Sequence, residues 1–190
     1  MRERLLEVVP VFSLIEDAEL REKTIQVWEA AMERSGWTPD AMLQMPFNLL
    51  IDPCPASYIE HVRVVTLTAY GAAKLFSEMY GDRVPLNMDH LVSGGLLHDI
   101  GKLLEYEVRD DGVTVQTRSG KLMRHPFSGA ALAYEFGLPD DVQHMIAAHA
   151  GEGDKVKRTP EATLINKADF MSFETLRDLQ VKKELKATLA

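Results

Sequence analysis

Apolar residues recur at helical spacing along most of the chain, and the polar interruptions divide it into segments. Residues 2 to 9 and 12 to 35 are predicted to be helical around Pro10, with Leu20, Val27 and Ala30 on the buried side. Thr38 followed by Pro39 makes a cap and first turn for a short helix to about Leu43. Met45 to Pro55 carries three prolines and is expected to be a loop crossing the surface. A long helix starts at Ser57, with Glu60 placed for a capping box, and ends at Gly81-Asp82. Tyr58, Val62, Val65, Ala69, Ala72 and Phe76 supply its buried stripe. Asn87 caps the next helix, MDHLVSGGLLHDI, which Gly101 is expected to stop.

The run YEVRDDGVTVQ breaks the helical rhythm, and Asp111-Gly112 at its centre predicts a small hairpin. Helices resume over 126–136, 139–149, 160–171 and 173–186, with Pro139 and Pro160 at first-turn positions. The polar stretch AGEGDKVKRT between His149 and Pro160 is a loop. With no internal repeat or interdomain linker, the pattern describes one domain over 1–190: an all-α helical bundle with a small β-hairpin insertion.

Composition narrows the partners. The chain has 190 residues, 46% of them hydrophobic and 26% charged, which are the proportions of a globular protein. Its 21 basic and 29 acidic residues give a net charge of −8, which argues against binding long duplex nucleic acid. A nucleotide or short oligonucleotide stays open, because a local metal centre cancels substrate charge whatever the net charge. Cys54, the single cysteine, allows no internal disulfide and sits in a proline-flanked turn with a structural role. The amino terminus has no signal-peptide pattern and no stretch is long enough for a membrane span, so cytoplasmic placement is expected.

The chemistry gathers at His98-Asp99, which follow the apolar run Gly94-Gly95-Leu96-Leu97. Adjacent helical residues do not share a face. A metal off the helix end could still take both, with the two carboxylate oxygens of Asp99 available to bridge two ions. Asp169 lies among Ala162, Leu164, Ile165, Ala168 and Phe170, where a lone buried aspartate is costly without a partner or a metal.

The string GGLLHDIGKLLEYE closely resembles the signature of the HD-domain superfamily of metal-dependent phosphohydrolases. Over about residues 57–172 the family's ordered ligand pattern can be matched position by position, with 1–56 as an N-terminal helical extension and 173–190 as a C-terminal helix. His61 stands in SYIEHVRVVTLTA, the pair is His98-Asp99, His125 stands in RHPFSGAAL, His149 in IAAHAGEGD and Asp169 in TPEATLINKADFMS. The resemblance implies two divalent metal ions drawn from Mn, Fe, Mg, Co or Ni. His61, His98, Asp99 and Asp169 would hold one, His125 and His149 the other, and Asp99 would bridge them. It also implies that Lys102, after Gly101, contacts the substrate phosphate. Arg124 could reach the same phosphate, and Asp99 and Lys102 are the catalytic candidates.

His90 and His144 read as structural, and the basic run Lys155, Lys157 and Arg158 as a solvated loop face. The implied activity is phosphodiester cleavage in a nucleotide, cyclic nucleotide or short oligonucleotide by metal-activated hydroxide. The overall pattern looks most like the HD domain of bacterial 3′-to-5′ exoribonucleases, without room for their OB domain. The His-Pro-x-x-Gly form at His125 is similar to the cyclic-dinucleotide phosphodiesterase branch, without that branch's Gly-Tyr-Pro element. Two other readings use the same fold: a di-iron oxygenase with the same six ligands, and a non-catalytic signalling or binding module. Residues 173–186, with Phe173, Leu176, Leu179 and Leu185, are a candidate homodimer surface or a closing helix of the same chain.

Overall fold

The computed structural model describes residues 1–188, with side chains described for 1–182. Among the described residues the regular elements are helices, apart from one two-stranded antiparallel hairpin. Its helices are α1 (Arg2–Val8), α2 (Ala18–Ser35), α3 (Pro39–Met42), α4 (Tyr58–Tyr80) and α5 (Met88–Leu97), then α6 (Lys102–Glu105). After strands β1 (Tyr106–Val108) and β2 (Thr114–Gln116) come α7 (Arg118–Leu122), α8 (His125–Glu135), α9 (Asp140–Ala148) and α10 (Pro160–Thr188).

Helix α5 is the axis of the fold. Every residue from Leu91 to Leu97 is buried, and α4, α9, α10 and α2 pack around it. The Gly94-Gly95 pair makes that possible. A Cβ at Gly94 would lie 2.6 Å from the Met145 sulfur on α9, and one at Gly95 would lie 2.9 Å from Thr66 Oγ1 on α4. The N-terminal helices share this core. Trp28 Nε1 donates to Leu96 O at 3.1 Å, and the Thr24 and Ser93 hydroxyls are 2.7 Å apart.

Most helix starts follow the expected chemistry. Ser57 and Glu60 form a complete capping box at α4, while Thr38 and Asn87 cap α3 and α5. Pro160 occupies the first position of α10, but Pro139 is the N-cap of α9 rather than its first turn. The hairpin turns at Gly112, at φ +80°, and pairs Tyr106 with Gln116.

Four further expectations are corrected. The chain between Val8 and Ala18 is a 3-10 turn over Pro10–Leu14, because Asp17 caps α2 through its contacts with the Glu19 and Leu20 amides. Ala72 and Phe76 leave the buried stripe of α4, whose last buried residue is Ala73. Gly101 does not stop α5, which already ends at Leu97. The segment after Met45 is a loop as expected, exposed at Leu49, Leu50, Asp52 and Pro53, with Met45, Phe47 and Ile51 anchoring it in the interior. The two helices predicted over 160–171 and 173–186 are one continuous α10, because Ser172 is accommodated within the helix and caps nothing. Phe173 and Leu176 are half-buried on it and Leu179 is exposed, while the Leu185 side chain lies outside the described residues.

Candidate metal centre

Four helices and one turn deliver six side chains to one place. His61 comes from the first turns of α4, His98 and Asp99 from the turn after α5, and His125 is the first residue of α8. His149 is the C-cap of α9 and Asp169 lies within α10. His61, His98, Asp99, His125 and His149 are buried, and the Asp169 side chain keeps 17% exposure. Because His98 and Asp99 leave the regular helix, the two neighbours face the same centre.

The carboxylate of Asp99 divides the group. Its Oδ2 lies 3.3 Å from His61 Nε2 and 3.5 Å from His98 Nε2, and His61 Nε2 is 3.1 Å from Asp169 Oδ1. Its Oδ1 lies 3.2 Å from His125 Nε2 and 3.5 Å from His149 Nε2. Among the described residues, His61, His98 and Asp99 form one set that could hold a metal ion, and Asp99, His125 and His149 form another.

The outer ring nitrogens explain why a cation fits. His98 Nδ1 donates to Gly95 O at 2.6 Å and His149 Nδ1 to Ile146 O at 2.7 Å. His125 Nδ1 donates to Glu105 Oε2 at 2.9 Å. A carbonyl or carboxylate can only accept, so in a neutral ring each of these protons sits on Nδ1 and Nε2 presents a lone pair. Those lone pairs point inward, with His125 and His149 Nε2 only 3.3 Å apart, onto an anionic Asp99. Such an arrangement is repulsive unless positive charge sits among the donors. The mixed nitrogen and oxygen set suits a divalent transition metal.

Electrostatics agree with that distribution. Burial holds His98 neutral, with a pKa lowered to about 4, and burial also lowers His125. Burial disfavours a charged His61, but Asp169 and Asp99 outweigh it and raise that ring. Burial likewise opposes ionisation of Asp99, yet the Lys102 ammonium holds the carboxyl well below the usual range. Asp169, opposed by burial and held by His61, is lowered to about 2.

Lys102 is buried, with Nζ 2.7 Å from Asp99 Oδ2 and donating to Phe47 O at 2.7 Å. Arg124 is half-exposed beside Glu105 and Glu152. Both line a cavity of about 350 Å³ together with Asp99, His125 and Asp169. His90 instead faces Asp141 at 3.5 Å, and His144 Nε2 accepts from the Thr159 amide. Arg158 is not a solvated residue. It donates to Ala148 O and Ala150 O, and so braces the end of α9 that carries His149.

Several residues at the site have no individual sequence signal. Glu105 Oε2 accepts from both the amide and Nδ1 of His125, and Gln116 Nε2 donates to Glu105 Oε1 at 2.7 Å. Ser172 Oγ is 3.2 Å from His61 Nδ1, and Asn166 donates to His149 O at 2.6 Å. Phe47 stacks on His61, with ring centroids 4.3 Å apart. Glu105 stands inside the string GGLLHDIGKLLEYE, which marks its neighbourhood but not its partner. The others are joined to the centre only by folding.

Comparison with known proteins agrees with this architecture. The HD domain matches residues 58–173, and the chain belongs to the HD-domain superfamily of metal-dependent phosphohydrolases. A ribonuclease Y of Thermotoga petrophila is 34% identical over 111 residues, which are 58% of this chain and 17% of that protein. The dihydroneopterin 2′,3′-cyclic phosphate phosphodiesterase of Methanocaldococcus jannaschii is 28% identical over 166 residues, covering 82% of this chain and 63% of that protein. The chain therefore spans about a sixth of the ribonuclease Y and under two thirds of the archaeal enzyme. No solved structure matches it. Among the described residues, no helix is long and apolar enough to cross a membrane.

Proposed function

We propose that this chain is a phosphodiesterase acting on a small phosphorylated substrate, a cyclic nucleotide or similar cyclic phosphate before a short oligonucleotide. The observation that carries the reading is the division of four inward-facing imidazoles and Asp169 about the two oxygens of Asp99. In this reading residues 1–190 act as one unit in the cytoplasm, and two divalent ions bind. His61, His98, Asp99 and Asp169 hold one, His125 and His149 the other, and Asp99 belongs to both. Metal bound there supplies an activated water and neutralises charge on the phosphoryl oxygens.

The chain's own groups do the rest. Lys102, held beside Asp99, places an ammonium at the floor of the cavity, where charge on a cleaved phosphodiester is stabilised. Arg124 supplies a second cation at the rim. The cyclic-phosphate preference draws on the archaeal phosphodiesterase, whose similarity extends over 82% of this chain and beyond the HD segment.

The test is hydrolysis of 2′,3′-cyclic AMP and of a bis-aryl phosphodiester by Mn-loaded protein, beside an Asp99→Asn variant whose helicity is intact. Turnover abolished in the variant supports the assignment. Absence of turnover in the wild type, together with oxygen uptake by iron-loaded protein, would replace it with the oxygenase reading.

A further inference from the structure

The cavity over Asp99 has a second chemistry that its metal-ligand residues do not need. Its lining falls into two groups. Glu105, Gln116 and Arg124 form a connected polar set, and Lys102 is paired with Asp99. The other group is apolar and comes from the loop after Met45 and from α10: Phe47, Leu50, Phe170 and Phe173.

Phe47 and Phe173 meet edge to face at 6.5 Å, and the Arg177 guanidinium sits 5.6 Å from the Phe173 ring centroid. Leu50 is 83% exposed and Phe170 37%, so apolar surface faces water at the mouth of a polar centre. Neighbouring Asn48 is buried and also borders the cavity. Its Oδ1 accepts from the Leu50 and Ile51 amides at 2.8 and 3.0 Å, which fixes the orientation of the amide. Its Nδ2 has no protein partner. That nitrogen is itself enclosed, so the side chain acts on the cavity through the loop it holds.

We propose that Leu50, Phe170 and Phe173 form a subsite for the planar heteroaromatic ring of the substrate, with Asn48 holding the loop that presents Leu50. The proposal rests on the phosphodiesterase reading and adds to it the part of the substrate that is not phosphate. The volume of about 350 Å³ lies at the small end of ligand sites, suited to one ring with its sugar or side chain. Asn48 and Leu50 precede the segment matched by the HD domain, so membership of the superfamily does not entail their part of the wall.

Binding tests it without turnover. Mn-loaded protein is titrated calorimetrically with adenosine 2′-phosphate, neopterin phosphate and glycerol 2-phosphate. At least one ring-bearing ligand is expected to bind about tenfold or more tightly than glycerol 2-phosphate, and the better one identifies the ring as purine or pterin. The surface variants Leu50→Ser and Phe170→Ser should erase that preference while leaving glycerol 2-phosphate affinity unchanged. Equal wild-type affinity for all three ligands overturns the subsite, as does a parallel loss for all three in folded variants. Ring preference without hydrolysis of any cyclic phosphate would instead count against the phosphodiesterase reading alone.

Discussion

Glu105 Oε2 accepts two hydrogen bonds from the same residue, His125, one from its backbone amide at 2.7 Å and one from Nδ1 at 2.9 Å. The pair of bonds sets both the start of α8 and the rotation of the ring that ends at Asp99. A carboxylate behind an imidazole also raises the ring's basicity as a ligand. Glu105→Gln removes that negative charge while conserving shape. It is expected to weaken metal affinity by about 10–100-fold with little loss of helicity. Competition against a chromogenic chelator measures it, and unchanged affinity would remove Glu105 from this role.

Gly101 and Gly71 make a matched pair. A Cβ on Gly101 would stand 2.2 Å from His125 O, a backbone atom that cannot swing aside, whereas one on Gly71 meets nothing within 4 Å. Gly101→Ala should therefore push α8 away and cost about 1–3 kcal/mol, with metal affinity falling in parallel. Gly71→Ala, on the exposed side of α4, should stabilise by about 0.5–1 kcal/mol. Thermal melts of both variants decide it, and a Gly101→Ala protein as stable as the wild type would refute the close-packing argument.

Removing metal should loosen the whole bundle, because the converging lone pairs belong to helices α4, α8 and α9 and to the turn after α5. At metal concentrations about a hundredfold above the dissociation constant, binding contributes about 2.7 kcal/mol to stability. For a chain of this size that corresponds to a fall in Tm of roughly 5–10 °C on chelation. Differential scanning calorimetry with and without chelator, followed by reloading, is the measurement. An indifferent Tm would argue that the centre holds no ion.

The metal-free protein should also lose stability on mild acidification. His98, lowered to about 4 in the folded state, leaves the unfolded chain to bind the proton first. Its contribution is complete above the ordinary histidine pKa of 6.5 and falls as pH drops toward 4. His125, also lowered, acts in the same direction, while His61, raised, acts oppositely and offsets part of the effect. Asp169, lowered to about 2, contributes stability that is lost only below the ordinary aspartate value of 3.8. Between pH 6.5 and 5 the chelated protein should therefore melt at progressively lower temperature, with at most about 2 kcal/mol from His98. A flat or rising Tm over that interval would contradict the assigned burial of His98.

Legibility from sequence followed the range of the interaction. The Ser57-Glu60 capping box and the Asn87 cap could be read because partners lie within one helical turn. The hairpin at Asp111-Gly112 was equally local. The sites of error were positions where a distant contact overrode a local preference. Gly101 reads as a helix stop, but its missing side chain makes room for His125, and Phe47 sits in a proline-rich stretch yet stacks on His61.

By itself the sequence determined the helical class and the caps at Thr38, Ser57 and Asn87, and it put forward six candidate donor residues. Those depend on residue type, short spacing and order along the chain. The tertiary structure alone decided which donors share an oxygen of Asp99, which ring nitrogen each histidine turns inward, and that the loop after Met45 walls the cavity with α10. These features depend on angles and distances between helices tens of residues apart, set by how closely Gly94 and Gly95 let α5 approach its neighbours.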